Sequence, residues 1–167
     1  AMANSYGISL QVIAKALLSF KGIKRRFSYK IKTDHLVLID DYAHHPTEIN
    51  ALVDSVREMY PSQEILGIFQ PHLFSRTRDF ADDFAKSLSR FDELILLDIY
   101  PAREIPIKGI NSNWLLNKIF IKNKTLSTKE DLNQHVLNSN ATVIVMFGAG
   151  DIGELVDIIK NKLEVEN

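Results

Sequence analysis

Two carboxylates, a tyrosine and two histidines fall in six consecutive residues, Asp40-Asp41-Tyr42-Ala43-His44-His45, followed by Pro46. Carboxylates and imidazoles together can exchange protons or ligate a metal. Adjacent His44 and His45 point in different directions, however, and no distant His, Cys or Asp set completes a metal site. A second cluster, QPHLFSRTR, carries His72, Arg76 and Arg78. Guanidinium groups beside a helix amino end favour a carboxylate or a phosphate, and Ser75 or Thr77 could cap the helix that follows. Arg25 and Arg26 form another basic pair, equally readable as solvated residues at a strand start; Arg78 alone is readable as a surface charge. Ser75, His44 and Asp41 could formally make a nucleophilic triad, but no G-x-S-x-G elbow positions the serine.

Gly148, Gly150 and Gly153 spell G-x-G-x-x-G after an apolar run. That spacing is a dinucleotide-binding turn when it opens the fold and an acidic residue ends the next strand. Only residues 154–167 follow, enough for one helix. NAD is therefore not expected. The expected role is a tight turn that lets a substrate approach the backbone.

The elements that must hold these clusters alternate. Apolar runs at 36–39, 65–69, 94–97 and 142–147 read as buried strands. Helical faces run through Ile49, Leu52, Val53 and Val56; Phe80, Phe84, Ala85 and Leu88; Leu115, Leu116 and Ile119; Leu132 and Val136; and Leu155, Val156, Ile159 and Leu163. Ser127 with Glu130 predicts a capping box. Phe27, Tyr29 and Ile31 alternate with polar residues, as in a half-exposed strand. The turn Thr33-Asp34-His35 then pairs it antiparallel with the next strand, at or near an edge. The predicted fold is α/β: a Rossmann-like three-layer sandwich, with a mostly parallel sheet of about six strands, one antiparallel edge strand and helices on both faces. Ligands bind such sheets beyond the strands' carboxyl ends. DDYAHHP, QPHLFSRTR, DIYPARE and GAGDIG all follow strands, so His44, His45, Arg76, Arg78 and Arg103 converge on one rim.

Residues 8–20 form an isolated amphipathic pattern through Ile8, Val12, Ile13, Ala16 and Leu17, with Ser9 as cap and Lys21-Gly22 as stop. They read as the tail of a preceding domain. Ala1 ahead of Met2 reads as leftover vector sequence, and the chain as an excised piece of something longer. The 167 residues carry a formal net charge of −1, which offers no basic footprint for nucleic acid. Cysteine is absent, which fits a reducing cytoplasm. No run has the length of a membrane span, and no signal peptide is visible.

Five tracts occur in order: GIKRRF (22–27), DDYAHHPTEI (40–49), FQPHLFSRTRDF (69–80), DIYPAREIPIKG (98–109) and GAGDIG (148–153). Together they resemble the C-terminal domain of the Mur ligases, the ATP-dependent amide-forming enzymes of peptidoglycan synthesis. Within that family they are most similar to the branch that joins L-alanine to UDP-N-acetylmuramate. The resemblance covers nearly the whole chain. It implies residues 1–22 as the last helix of a central ATPase domain plus linker, and residues 23–167 as the C-terminal domain. It implies N-terminal and central domains of the same polypeptide as partners. No G-x-x-x-x-G-K-[ST] occurs here, so Mg2+ is expected mainly on the central domain and no turnover is expected of the fragment. Arg26, with Arg25 second, would meet the terminal phosphate of ATP. Asp41 would hold the ribose, and Tyr42 and His44 would line the ATP and alanine side. Tyr42, His72, Arg76, Gly148 and Gly150 would border the amino acid; Arg26 and His44 are the implied catalytic pair.

Two positions depart from the family pattern. Leu73 stands where many members have Arg, and Arg103 where Gly is more usual. This reads as relocated charge, with Arg76 sufficing or Arg78 or Arg103 compensating. Rival readings are the family's murein-tripeptide recycling ligase, a metal-dependent phosphoesterase using Asp40, Asp41, His44, His45 and His72, and a non-catalytic nucleotide-binding or docking module.

Overall fold

A computed structural model describes residues 2–20 and 22–166. Ala1, Lys21 and Asn167 lie outside the described residues, and with them the expectations placed on Ala1 and on Lys21 as a helix stop. Among the described residues the chain forms one six-stranded sheet and eight helices. The strands are β1 (Ser28–Lys32), β2 (Val37–Asp41), β3 (Ile65–Phe69), β4 (Glu93–Leu97), β5 (Asn123–Ser127) and β6 (Val143–Phe147). Their order across the sheet is β1-β2-β6-β3-β4-β5; β1 pairs antiparallel with β2 and the other pairs are parallel.

Handedness explains that order. The chain steps from β2 to β3, β4 and β5 in one direction. The helices on those crossovers, α3 (Pro46–Met59), α5 (Ala81–Leu88) and α6 (Ser112–Leu116), share one face. It then returns to place β6 between β2 and β3. A right-handed return puts α7 (Leu132–Leu137) and α8 (Ile152–Glu166) on the opposite face. The two cores divide each strand by alternation. Val143, Val145 and Phe147 face the first, with Phe69, Phe84 and Phe91, while Ile144 and Met146 face the second. All five residues of β2, β3 and β6 are buried, as expected of strands covered on both sides.

Four local expectations need correction. β1 does not present one apolar face. Its register shifts between Tyr29 and Ile31, so Phe27 and Tyr29 pack on the first core and Ile31 on the second. The extra residue of a bulge moves following side chains across the sheet. β2 extends through Asp41, which makes Asp40 and Asp41 strand residues. Neither Ser75 nor Thr77 caps the following helix: both lie inside a separate short helix, α4 (Phe74–Asp79), and the residue before α5 is Phe80, without a side-chain cap bond. The predicted capping box is absent from α7 (Leu132–Leu137): its N-cap is Asp131, which makes no side-chain cap bond, while ahead of the helix Thr128 Oγ1 accepts from the Asp131 amide at 3.1 Å and Ser127 bonds the Thr128 carbonyl.

The N-terminal helices are α1 (Met2–Ser5) and α2 (Leu10–Leu18). Ser9 does cap α2, accepting from the Val12 amide at 3.4 Å. No residue of α2 is buried, and Leu10, Val12, Leu17 and Leu18 are exposed. No helix is long and apolar enough to cross a membrane, among the described residues.

Candidate functional site

The loops after β2, β3, β4 and β6 meet at the carboxyl rim. Because α3 and α4 leave on one face and α8 on the other, the sheet opens a crevice at β6, where a doubly wound fold receives ligands.

On the β2 side the charges are already matched. Asp40 is 2 % exposed. Burial pushes its carboxyl up, and the Arg25 guanidinium, with Nε 3.3 Å from Oδ1, opposes that rise. Arg25 also donates from Nη2 to the Gly148 carbonyl at 2.6 Å and lies over the Tyr42 ring at 5.1 Å. It is therefore no solvated surface residue. Asp41 accepts from the Phe27 amide on Oδ2 and from the Ala43 amide on Oδ1, both at 2.7 Å. Each oxygen keeps a second lone pair.

His44 and His45 separate, as adjacent side chains must. His45 is the N-cap of α3, accepting from the Thr47 amide, and packs on Phe80 at 4.7 Å between ring centroids. His44 turns to the rim. Its Nδ1 is 2.9 Å from the Tyr42 carbonyl and 3.2 Å from Glu48 Oε2. Two acceptors around Nδ1 place a proton there, so in the neutral tautomer the lone pair is on Nε2. Burial works against the Glu48 charge, but the His44 amide at 2.9 Å and the charges of His44 and Arg26 outweigh it and lower its pKa. Arg26, with Nη1 4.0 Å from Glu48, leaves 54 % of its side chain exposed.

On the β3 side His72 stacks on Tyr100, with centroids 5.6 Å apart, and stands 6.2 Å from the His44 ring. Burial first, then the charges of Arg76 and His44, holds its pKa below the ordinary value. Arg76 Nη1 reaches His72 Nδ1 at 3.4 Å. Since Arg only donates, that nitrogen is the acceptor. The first turn of α4 is occupied by the chain's own carboxylate, because Glu104 accepts from the Ser75 amide at 3.0 Å and from its hydroxyl. Leu73, just before α4, has φ 71° and ψ 133°. This conformation costs a branched residue about 1–3 kcal/mol and clusters at functional sites. It persists because the Leu73 amide donates to the Tyr100 carbonyl at 2.9 Å and Thr77 bonds back to its carbonyl.

Gly148 has φ 145°, and a Cβ there would stand 2.7 Å from the Gln70 carbonyl; one on Gly150 would strike Tyr100 at 2.7 Å. Gln70, 2 % exposed, staples this turn, its Oε1 accepting from the Ile152 amide at 2.9 Å and its Nε2 donating to Asp151 at 2.8 Å. Lys129 closes the far side on Asp151. Beside this staple a cavity of about 420 Å³ is lined by Gln70, Asp98, Tyr100, Lys129 and Asp151. A larger space, about 800 Å³ around Lys32, His35, Tyr60 and Thr142, opens at the other end of the sheet, away from every rim residue named here.

The structure thus brings together Arg26, Asp41, Tyr42, His44, His72, Arg76 and the glycine turn. It diverts His45 to Phe80, and Arg78 to Asp79 at 2.7 Å. Arg103 is exposed beside Glu104. The carboxylates do not converge on a cation position, and no group of three or more His, Cys, Asp or Glu is placed to hold a metal among the described residues. Sequence reading overlooked Glu48, Gln70, Tyr100 and Glu104. Glu48 had a signal, four residues beyond His44 in a first helical turn. Gln70 had none beyond following a strand.

A family model described as Mur ligase, glutamate ligase domain, matches residues 25–150. A UDP-N-acetylmuramate–L-alanine ligase of Christiangramia forsetii is 64 % identical over 163 residues, covering 98 % of this chain and 36 % of that protein. One of Flavobacterium psychrophilum is 63 % identical over 164 residues, covering 98 % and 37 %. The chain spans about a third of the length of these relatives. Among solved structures, the UDP-N-acetylmuramate-alanine ligase MurC of Thermotoga maritima superposes with a TM-score of 0.80 at 26 % identity, covering 99 % of this chain and 36 % of that one. The Psychrobacter arcticus murein peptide ligase, at 21 % identity and TM-score 0.68, shares the fold. The fold, the rim and the match over residues 25–150 agree: this chain belongs to the Mur ligase family, as its glutamate ligase domain.

Proposed function

We propose that this chain is the C-terminal domain of a polypeptide that joins L-alanine to UDP-N-acetylmuramate at the expense of ATP, in cytoplasmic peptidoglycan precursor synthesis. In that reaction ATP phosphorylates the muramate carboxylate, the alanine amine attacks the acyl carbon, and phosphate leaves. The carrying observation is Arg76 beside His72, which burial and neighbouring charge keep neutral, across from His44 and next to the glycine turn. A guanidinium whose one side-chain contact among the described residues is a long one to His72 can receive the carboxylate of an amino acid. His44, whose neutral tautomer carries a lone pair on Nε2, is the group to take the amine proton. Arg26 is the exposed cation for the terminal phosphate. Asp41 offers remaining lone pairs to ribose hydroxyls and Tyr42 a ring to the same side. Arg76 serves without an Arg at position 73, and Arg78, turned to Asp79, does not compensate. Asp40, Asp41, Glu48 and Asp151 are engaged by cations and amides, so Mg2+ falls mainly to residues beyond this chain. Residues 1–22 fit as the end of the preceding domain, since the apolar face of α2 lies uncovered.

The test supplies the rest of the polypeptide. Phosphate release by the full-length enzyme should depend on L-alanine and UDP-N-acetylmuramate together. Arg26→Ala should raise the KM for ATP at least tenfold. Release driven by a murein tripeptide instead of L-alanine would move the chain to the recycling branch.

A further inference from the structure

We propose that Arg25 is a positioning residue that latches the approach segment 22–27 onto the glycine turn and so sets where the amino-acid side of the site stands. The identity of the ligand that feels the turn rests on the ligase reading; the latch itself does not.

The backbone of Arg25 is left-handed, with φ 56°, and Phe27 follows with φ 47°. Local preference disfavours both in a non-glycine residue, so tertiary contacts hold them. The Arg25 carbonyl accepts from the Tyr42 amide at 2.8 Å, and the Phe27 amide donates to Asp41 at 2.7 Å. The chain reversal parts two consecutive arginines. Arg26 faces solvent, while the Arg25 side chain is 24 % exposed. Its guanidinium joins the end of β2 to the turn after β6, bonding Asp40 and the Gly148 carbonyl with Tyr42 beneath it. It also fills the room left by the third glycine of the motif. A Cβ on Gly153 would stand 2.7 Å from the Arg25 Cζ. The last glycine thus serves the latch, and the first gives it a carbonyl to grip. Asp40 needs Arg25 in turn, as a carboxylate buried to 2 % exposure.

Amide exchange in this chain, followed by NMR, tests the latch. Arg25→Ala should speed exchange across 149–154 at least tenfold and leave β3 and β4 unchanged. Gly153→Ala, which expels the guanidinium while keeping its charge, should give the same pattern. Arg25→Lys, unable to grip both partners at once, should fall between and serves as the folded variant if Arg25→Ala does not fold. Unchanged exchange at 149–154 in Gly153→Ala and in either Arg25 variant overturns the proposal. In the full-length enzyme, Arg25→Ala should raise the KM for the amino acid about tenfold and leave that for ATP within twofold. An ATP effect equal to that of Arg26→Ala, with a quiet amino-acid KM, also overturns it. Failure of Arg26→Ala to move either constant counts against the ligase assignment alone, because the exchange result stands apart from it.

Discussion

The two sides of the rim are built differently. On the β2 side two charges are spent inside the fold: Arg25 on Asp40 and Gly148, Asp41 on the Phe27 and Ala43 amides. On the β3 side Arg76 has one long contact, 3.4 Å to a neutral ring. A group whose bonds are short and internal holds shape, and one whose bonds are few is available to a ligand. Apart from the exposed Arg26, the β2 side is thus largely scaffold, while the β3 side presents Arg76 with a single long contact among the described residues.

Three changes sharpen or break that contrast. The largest effect on folding belongs to Asp41→Ala. It leaves two amides without partners, and urea unfolding of this chain should show a loss of about 3 kcal/mol. A loss near zero would mean that the β2 side is not held through this carboxylate. Next is Arg76→Ala, whose stability change should stay within about 0.5 kcal/mol. In the full-length enzyme it should raise the KM for the amino acid about hundredfold, or about 2.7 kcal/mol. The same variant should raise the His72 pKa toward its ordinary value, read by NMR of the imidazole, since one cause of the depression is removed. The sign follows for stability. With the folded pKa depressed, the unfolded chain binds the proton first as pH falls, so stability drops from near pH 6.5 downward, less steeply in the variant. The smallest effect is backbone strain. Leu73→Gly should be about 1 kcal/mol more stable than Leu73→Ala, the reverse of the usual order, because only glycine relaxes at φ 71°.

Much of the architecture was legible from pattern. Continuous apolar strands such as 65–69 and 142–147, alternating with amphipathic helices, dictate a parallel sheet covered on both faces. β5 was not located individually, because NKTLS has little apolar character and lies at an edge. The bulge in β1 was hidden, since alternation of Phe27, Tyr29 and Ile31 looks the same with or without an extra residue. The contrast between α2 and α8 carries the same lesson. Both have amphipathic sequences, yet Val156 and Ile159 are buried while Leu10 and Leu17 are exposed.

The residue types and their order determined the fold class, the rim on which chemistry gathers and the family. Periodicity and strand-end position follow from local geometry, which a linear sequence carries in full. Only the tertiary structure decided which charges are occupied. That Arg25 turns inward and Arg26 outward, that Glu104 fills the first turn of α4, and that His45 leaves the site for Phe80 depend on partners distant in sequence. A charge's role is set by what surrounds it, and neighbours brought together by folding are invisible to spacing.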